Sequence, residues 1–331
     1  VSNLYYTLPQ AKLASWLAEH SFADRVFFCN SGAEANEAAI KIARRYFKKK
    51  KESGRYRIIS MLNSFHGRTM ATLSATGQDK IKRDFDPLLK GFDFVPFNDV
   101  DALYREIESS TCAVMVEPIG HTGGIIEPPQ EYLPALREIC DRHNVLLIFD
   151  EIITGVGRTG EMFAAETFDV LPDVLCLGKG LSGGYAPLSA VLCRQPVADA
   201  FWGDPAVNPG FVEGHTFEGN PMSSAAGLAV LDEIIQGDLC ANALAMGERL
   251  RLGLEALGKY GVIGDIRGKG LMQGIEFVSD LESKRRFDPP IGQRIGRRAL
   301  ENGLLTRFDP HWLALGPPLV VTADQIDQMV S

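Results

Sequence analysis

The stretch Asp173-Val-Leu-Cys-Leu-Gly-Lys-Gly180 decides the reading of this chain, because a run of buried-strand residues stops at one lysine held between two glycines. Desolvation at the end of an apolar strand favours the neutral, nucleophilic form of a lysine amine. The flanking glycines allow tight turns and leave room for a flat ligand against the backbone. A lone Gly-Lys-Gly is more often a solvated turn. Four other apolar runs also end in residues suited to ligand contact, and that company singles out Lys179.

Short apolar runs alternate with helical periodicity, the pattern of an α/β domain on a mainly parallel sheet. Candidate strands lie at 25–29, 57–61, 113–116, 145–149 and 174–177. They are followed by Asn30-Ser31-Gly32, Ser64-Phe65-His66, Glu117-Pro118, Asp150-Glu151 and Lys179. Ligands of open α/β sheets bind outside the carboxyl ends of the strands, so these residues are expected to converge. Asn220-Pro221 then opens a helix with Pro in its first turn, and Gly237 closes it. The chain therefore divides into a large domain over 1–219 and a C-terminal part over 220–331, made of this connecting helix and a small α+β domain. That part carries helical patterns at about 241–257 and 291–302, a Gly-rich strand region at 266–277, and a last helix announced by the capping box Thr322-x-x-Gln325.

Composition narrows the partners. The chain has 331 residues, 45% of them hydrophobic, and no apolar run approaches the roughly 20 residues that span a bilayer. A formal charge of −8 argues against nucleic acid and against an anionic membrane surface. The basic block Lys48–Lys51 reads as a solvated helix end. Six scattered cysteines without zinc or redox spacing suit a reducing compartment, so a cytoplasmic location is expected. Six histidines form no ligand cluster, and no metal is expected.

Ser31-Gly32-Ala33-Glu34 matches a capping box at a helix start, where free amides and two small residues can also cup a phosphate. Phe65 stands where an aromatic can stack on a planar ring, or simply fill the core. Arg68 offers a fork for a carboxylate, or a surface ion pair. Asp150 ends an apolar run and needs a partner if buried; a protonated pyridine nitrogen or a basic side chain would serve. Gly155-Val-Gly157-Arg-Thr-Gly160 matches G-x-G-x-x-G but does not open a helix directly after its strand, so a dinucleotide site is not expected.

Taken together, Ser31-Gly-Ala-Glu-Ala-Asn-Glu37, Phe65-His-Gly67, Asp150-Glu151, Gly178-Lys-Gly180 and Gly214-His-Thr-Phe-Glu-Gly-Asn-Pro221 resemble the class III pyridoxal-phosphate aminotransferases of fold type I. The resemblance implies that Lys179 binds pyridoxal 5′-phosphate as a Schiff base and that Asp150 pairs with its ring nitrogen. Phe65 and Ile152 would sandwich the ring, with His66 alongside. Ser31, Gly32 and Ala33 would hold the phosphate together with Thr216 from the second subunit of a homodimer. Arg68, His215 and Arg307 are the candidate substrate contacts. Against the family pattern the chain starts well inside, lacking an N-terminal segment that usually helps wall the site.

Up to about residue 119 the chain resembles acetylornithine and ornithine aminotransferases; from about residue 131 it is more similar to the ω-transaminases. Where the acetylornithine pattern has Glu-Pro-Ile-Gln-Gly-Glu, this chain has Glu117-Pro-Ile-Gly-His-Thr122, and Ala314-Leu-Gly-Pro317 replaces Arg-Phe-Ala-Pro. The pattern's Gln and Ser are Ile153 and His215 here. Joint loss of a glutamate and an arginine that receive a second carboxylate implies a terminal amine or ω-amino acid as donor and pyruvate as the favoured acceptor. The alternatives are an acetylornithine or ornithine aminotransferase using 2-oxoglutarate, a pyridoxal-phosphate mutase or decarboxylase, and a non-catalytic homologue.

Overall fold

The computed structural model describes residues 3–52, 54–204, 206 and 210–331. Seven strands form one sheet: β1 (Arg25–Cys29), β2 (Arg57–Met61), β3 (Phe92–Val95), β4 (Thr111–Val116), β5 (Leu146–Asp150), β6 (Val174–Leu177) and β7 (Ser189–Cys193). Their order is β1-β7-β6-β5-β4-β2-β3. Neighbours from β3 to β6 pair parallel, while β7 runs antiparallel to both β6 and β1. Since β7 alone is reversed, β1, β2, β4, β5 and β6 all present their carboxyl ends at the same edge. The five strands expected from the sequence are present, with β4 and β5 displaced by one or two residues, and the mainly parallel α/β architecture holds.

Apolar alternation is weak in β4, β5 and β6 because they are buried on both faces. The helix Gly32–Lys49 covers one face with Ala35, Ala38, Ala39, Ile42 and Ala43, and this stripe joins Ile58, Met115, Ile148 and Cys176 in one core. Small residues on the stripe let the helix lie close to the sheet, which brings its first turn to the strand ends.

The chain clusters into two compact units. The first comprises Val1–Pro118, Pro128–Val156 and Phe163–Glu233; the second comprises Ile119–Glu127, Gly157–Met162 and Ile234–Ser331. Two short excursions from the first half of the chain thus belong with the second unit, which a single division at 219/220 does not contain. The second unit has a four-stranded antiparallel sheet in the order β10-β11-β9-β8, with β8 (Ile263–Lys269), β9 (Met272–Phe277), β10 (Arg307–Phe308) and β11 (Trp312–Leu315). Ala243, Leu250 and Leu254 of the helix Leu239–Ala256 pack with Leu271, Ile275, Leu313 and Ile326 to form its core. Thr322 caps the final helix by accepting from the Gln325 amide while Gln325 Oε1 accepts from Thr322, which is the expected box.

Candidate active site

Asp150 is the last residue of β5 and is 4% exposed. Its Oδ2 accepts from Asn36 Nδ2 at 2.7 Å and lies 2.7 Å from His66 Nδ1; its Oδ1 accepts from the Ile152 amide at 3.2 Å. The other ring nitrogen, Nε2, lies 3.1 Å from Ser60 Oγ. Asn36 also donates to the His66 carbonyl at 2.7 Å, and the His66 amide donates to Thr76 Oγ1 at 2.9 Å. Three donors from three elements therefore fix one carboxylate without exposing it.

Two further buried acids flank it. Glu117, one residue past β4, accepts from the Phe65 amide at 3.0 Å. Burial pushes its carboxyl up to about 7; Asp150 adds to the rise, while His66, the Phe65 amide and Lys179 oppose it. Glu151 accepts from the amides of Ala164 at 2.6 Å and Ala165 at 2.8 Å. Burial lifts it to about 8 against the pull of those two bonds.

Lys179 follows β6 in a short turn at φ +39°, a left-handed conformation uncommon for a residue other than glycine. Its side chain is exposed in the chain, so the desolvation expected from the end of β6 does not extend to it. Burial of the strand stops at Gly178.

The helix start lies against the same strand ends. Ser31 Oγ accepts from the Glu34 amide at 3.3 Å, as the capping pattern requires. The reciprocal half is displaced by one residue, since Glu34 Oε2 accepts from the amide of Asn30 instead of Ser31. Gly32 and Gly178 meet at Ile152: a Cβ on Gly32 would lie 2.6 Å from Ile152 Cδ1, and one on Gly178 would lie 3.4 Å from Ile152 Cγ2. Gly67, at φ +135°, turns the chain against the helix, and a Cβ there would come within 2.9 Å of Ala33 Cβ.

The sheet edge thus gathers Ser31, Gly32, Ala33, Phe65, His66, Asp150, Ile152 and Lys179. Arg68 is exposed, its guanidinium 5.9 Å from the Phe65 ring centre. His215 and Thr216 lie on a segment anchored elsewhere in the first unit: Glu213 pairs with Lys41 at 2.5 Å, and His215 Nδ1 lies 3.6 Å from Glu218 Oε2. Arg307 belongs to the second unit, with Nη1 3.1 Å from His121 Nδ1 and the guanidinium over Trp312. The sequence reading missed Asn36, Ser60 and Thr76, and left Glu117 as a strand-end residue without a role. The available signal for Asn36 was a polar residue on the otherwise small and apolar face of its helix.

This donor set suits the cofactor implied by the sequence. A buried, oriented carboxylate matches a protonated ring nitrogen. Glycine backbone packed on Ile152 suits a flat ring, and the Gly32 and Ala33 amides at the start of an 18-residue helix suit a phosphate.

Comparison with known proteins agrees. The model of the class-III aminotransferase family matches residues 1–331. The acetylornithine aminotransferase of Caldanaerobacter subterraneus subsp. tengcongensis is 45% identical over 329 residues, covering 99% of this chain and 79% of that protein. The acetylornithine aminotransferase of Methanocaldococcus jannaschii is 44% identical over 338 residues, covering 100% and 79%. Among solved structures, a Bacillus anthracis aminotransferase superposes with a TM-score of 0.95 at 35% identity, covering 100% of this chain and 80% of that one. The ω-transaminase of Pseudomonas jessenii in complex with PMP gives 0.95 at 31%, covering 99% and 78%. The chain belongs to the class-III aminotransferases, which work with pyridoxal 5′-phosphate on the fold-type-I scaffold.

Proposed function

We propose that the chain is an acetylornithine-type aminotransferase that moves the terminal amino group of N-acetylornithine or ornithine to 2-oxoglutarate. The observation that carries this reading is the 45% identity to an acetylornithine aminotransferase across 99% of the chain. It favours this reading over the pyruvate-favouring ω-transaminase expected from Thr122 and Ala314, whose support is structural neighbours at 31–35% identity.

Residue geometry in the second unit answers the main objection with a candidate. Ala314 lies directly opposite Arg307 in the β10–β11 register. Directly opposed residues of an antiparallel pair project on the same face, about 5 Å apart. This register supports Arg307 as the substitute for an arginine absent at 314; its tip lies beside His121, the residue before Thr122.

The proposed roles follow from the site. Pyridoxal phosphate, when bound, takes up the amino group and delocalises the electron pair released at the substrate carbon. Lys179 Nζ anchors it and moves the proton at the amine-bearing carbon as general acid and base. Asp150 holds a proton on the ring nitrogen, and Asn36 and His66 hold Asp150. Gly32, Ala33 and Ser31 receive the phosphate at the helix start. Phe65 and Ile152 close on the ring and exclude water, and Arg68 takes the α-carboxylate.

The test is the specificity constant for 2-oxoglutarate against pyruvate with saturating N-acetylornithine, repeated in Arg307→Ala. We expect 2-oxoglutarate to be preferred, and its KM to rise about 10- to 100-fold in the variant, the value of one charge-assisted contact. Pyruvate should change little. A parent protein that prefers pyruvate, or turns over only simple terminal amines, would restore the ω-transaminase reading.

A further inference from the structure

We infer that Glu117 is a positioning residue for the reaction: its carboxylate fixes the Phe65 backbone and supplies the negative charge that faces Lys179 at the strand ends. This rests on Lys179 being the lysine that holds the cofactor.

Glu117, Asp150 and Lys179 end or follow β4, β5 and β6, three adjacent parallel strands, so their side chains share one edge of the sheet. Glu117 is 7% exposed, a place where an ionised carboxylate is costly unless something charged repays it. Its bond to the Phe65 amide does not require the charge, because a neutral amide carbonyl also accepts. The charged or titratable groups facing it are His66 from the turn after β2, Asp150 from β5 and Lys179 after β6. Asp150 opposes ionisation of Glu117, whereas His66 and Lys179 favour it. The carboxylate is therefore most stable when Lys179 carries positive charge. By the same reciprocity it stabilises that charge. A midpoint pushed by burial to about 7 leaves it responsive in the neutral range.

Two functions of one side chain predict a split that a merely structural acid would not give. Loaded protein is titrated to find the pH midpoint of its visible absorption band, and pyridoxal-phosphate affinity is measured by quenching of protein fluorescence in the apo form. In Glu117→Gln the Phe65 amide keeps an acceptor, so affinity should stay within about threefold. The absorption midpoint should fall by about 1 unit or more, as expected when a nearby opposite charge is removed. Glu117→Asp, which keeps the charge but withdraws from Phe65, should do the reverse: the midpoint is retained and affinity drops about tenfold. An unchanged midpoint in Glu117→Gln overturns the proposal, as does an Asp variant that behaves like the Gln variant. Borohydride fixation and peptide mapping in each protein tests the underlying assignment separately. Label on a lysine other than Lys179 would remove that assignment whatever Glu117 does.

Discussion

Adjacent acids at the end of β5 are given different tasks by their surroundings. Asp150 is held by a side-chain amide, an imidazole and one backbone amide, and points into the strand-end cluster. Glu151 turns to the opposite side, where both its oxygens accept backbone amides at the start of the next helical turn. Its carboxyl is raised to about 8 from the ordinary 4.5, chiefly by burial. Below the unfolded value both states hold the proton, and between the two values only the folded chain does. Stability linked to Glu151 is therefore lost as pH rises through that window, by about 5 kcal/mol when complete. Replacing Glu151 by Gln removes the titration but leaves one carbonyl to serve two amides. We expect the variant to be less stable than the parent at pH 5 in urea unfolding, and the deficit to shrink steadily towards pH 8. A deficit independent of pH would show that the two amides keep Glu151 ionised throughout.

At the scale of elements, the site depends on the closeness of the helix Gly32–Lys49 to β5 and β6. Gly32 is where that approach is tightest, since an added Cβ would meet the Ile152 tip at 2.6 Å. The contacts are all with one side chain, so Gly32→Ala should fold, with Ile152 displaced to a poorer rotamer at a cost of about 1 kcal/mol. Because Ile152 faces the ring in our assignment, the loss should appear as a three- to tenfold weaker affinity for pyridoxal phosphate with a nearly unchanged urea midpoint. A large fall in stability with unchanged affinity would place Ile152 in the core and not at the cofactor. The same closeness explains what the sequence could tell. Strand ends were legible because an apolar run that stops at Asp150 or Lys179 marks both a strand and its edge. β3 was not, because Asp93 in its centre is there to pair with Arg57 of β2, and a charge in a short run reads as loop. β7 was hidden behind Pro187, and its reversed direction has no signature in a single sequence. Asn36 and Thr76 were invisible as site residues because their partners lie far away in the chain. The loss of an arginine at Ala314 was readable, as was Arg307 on a nearby strand; the register that sets the two directly opposite each other was not.

For the molecule as a whole, the remaining question is what covers its exposed aromatic surface. Leu4, Tyr5, Tyr6 and Leu8 are 84%, 68%, 95% and 68% exposed, and Phe217 and Met222 are 71% and 73% exposed. These residues come from two segments that touch: Asn3 donates to the His215 carbonyl and to Glu218, and a Cβ on Gly219 would strike Gln10. Monomers seldom expose contiguous apolar patches of this kind, so we expect a second copy to cover it, forming a symmetric dimer. Thr216 lies within that patch and is itself exposed, which is consistent with its serving the phosphate of the partner's site. Subunit mixing tests this arrangement. Lys179→Ala and Thr216→Val proteins, each assayed alone at limiting pyridoxal phosphate, should be inactive or nearly so. In a mixed dimer, the subunit bearing Thr216→Val retains Lys179 and receives an intact Thr216 from its neighbour, so one site is whole. Random pairing makes about half the dimers mixed, hence roughly a quarter of all sites should regain activity after the two proteins are unfolded and refolded together. If Thr216 acted within its own subunit, neither site of the mixed dimer would be complete and mixing would restore nothing. Sedimentation of the parent protein at the mass of a single 36.2 kDa chain would remove the premise as well.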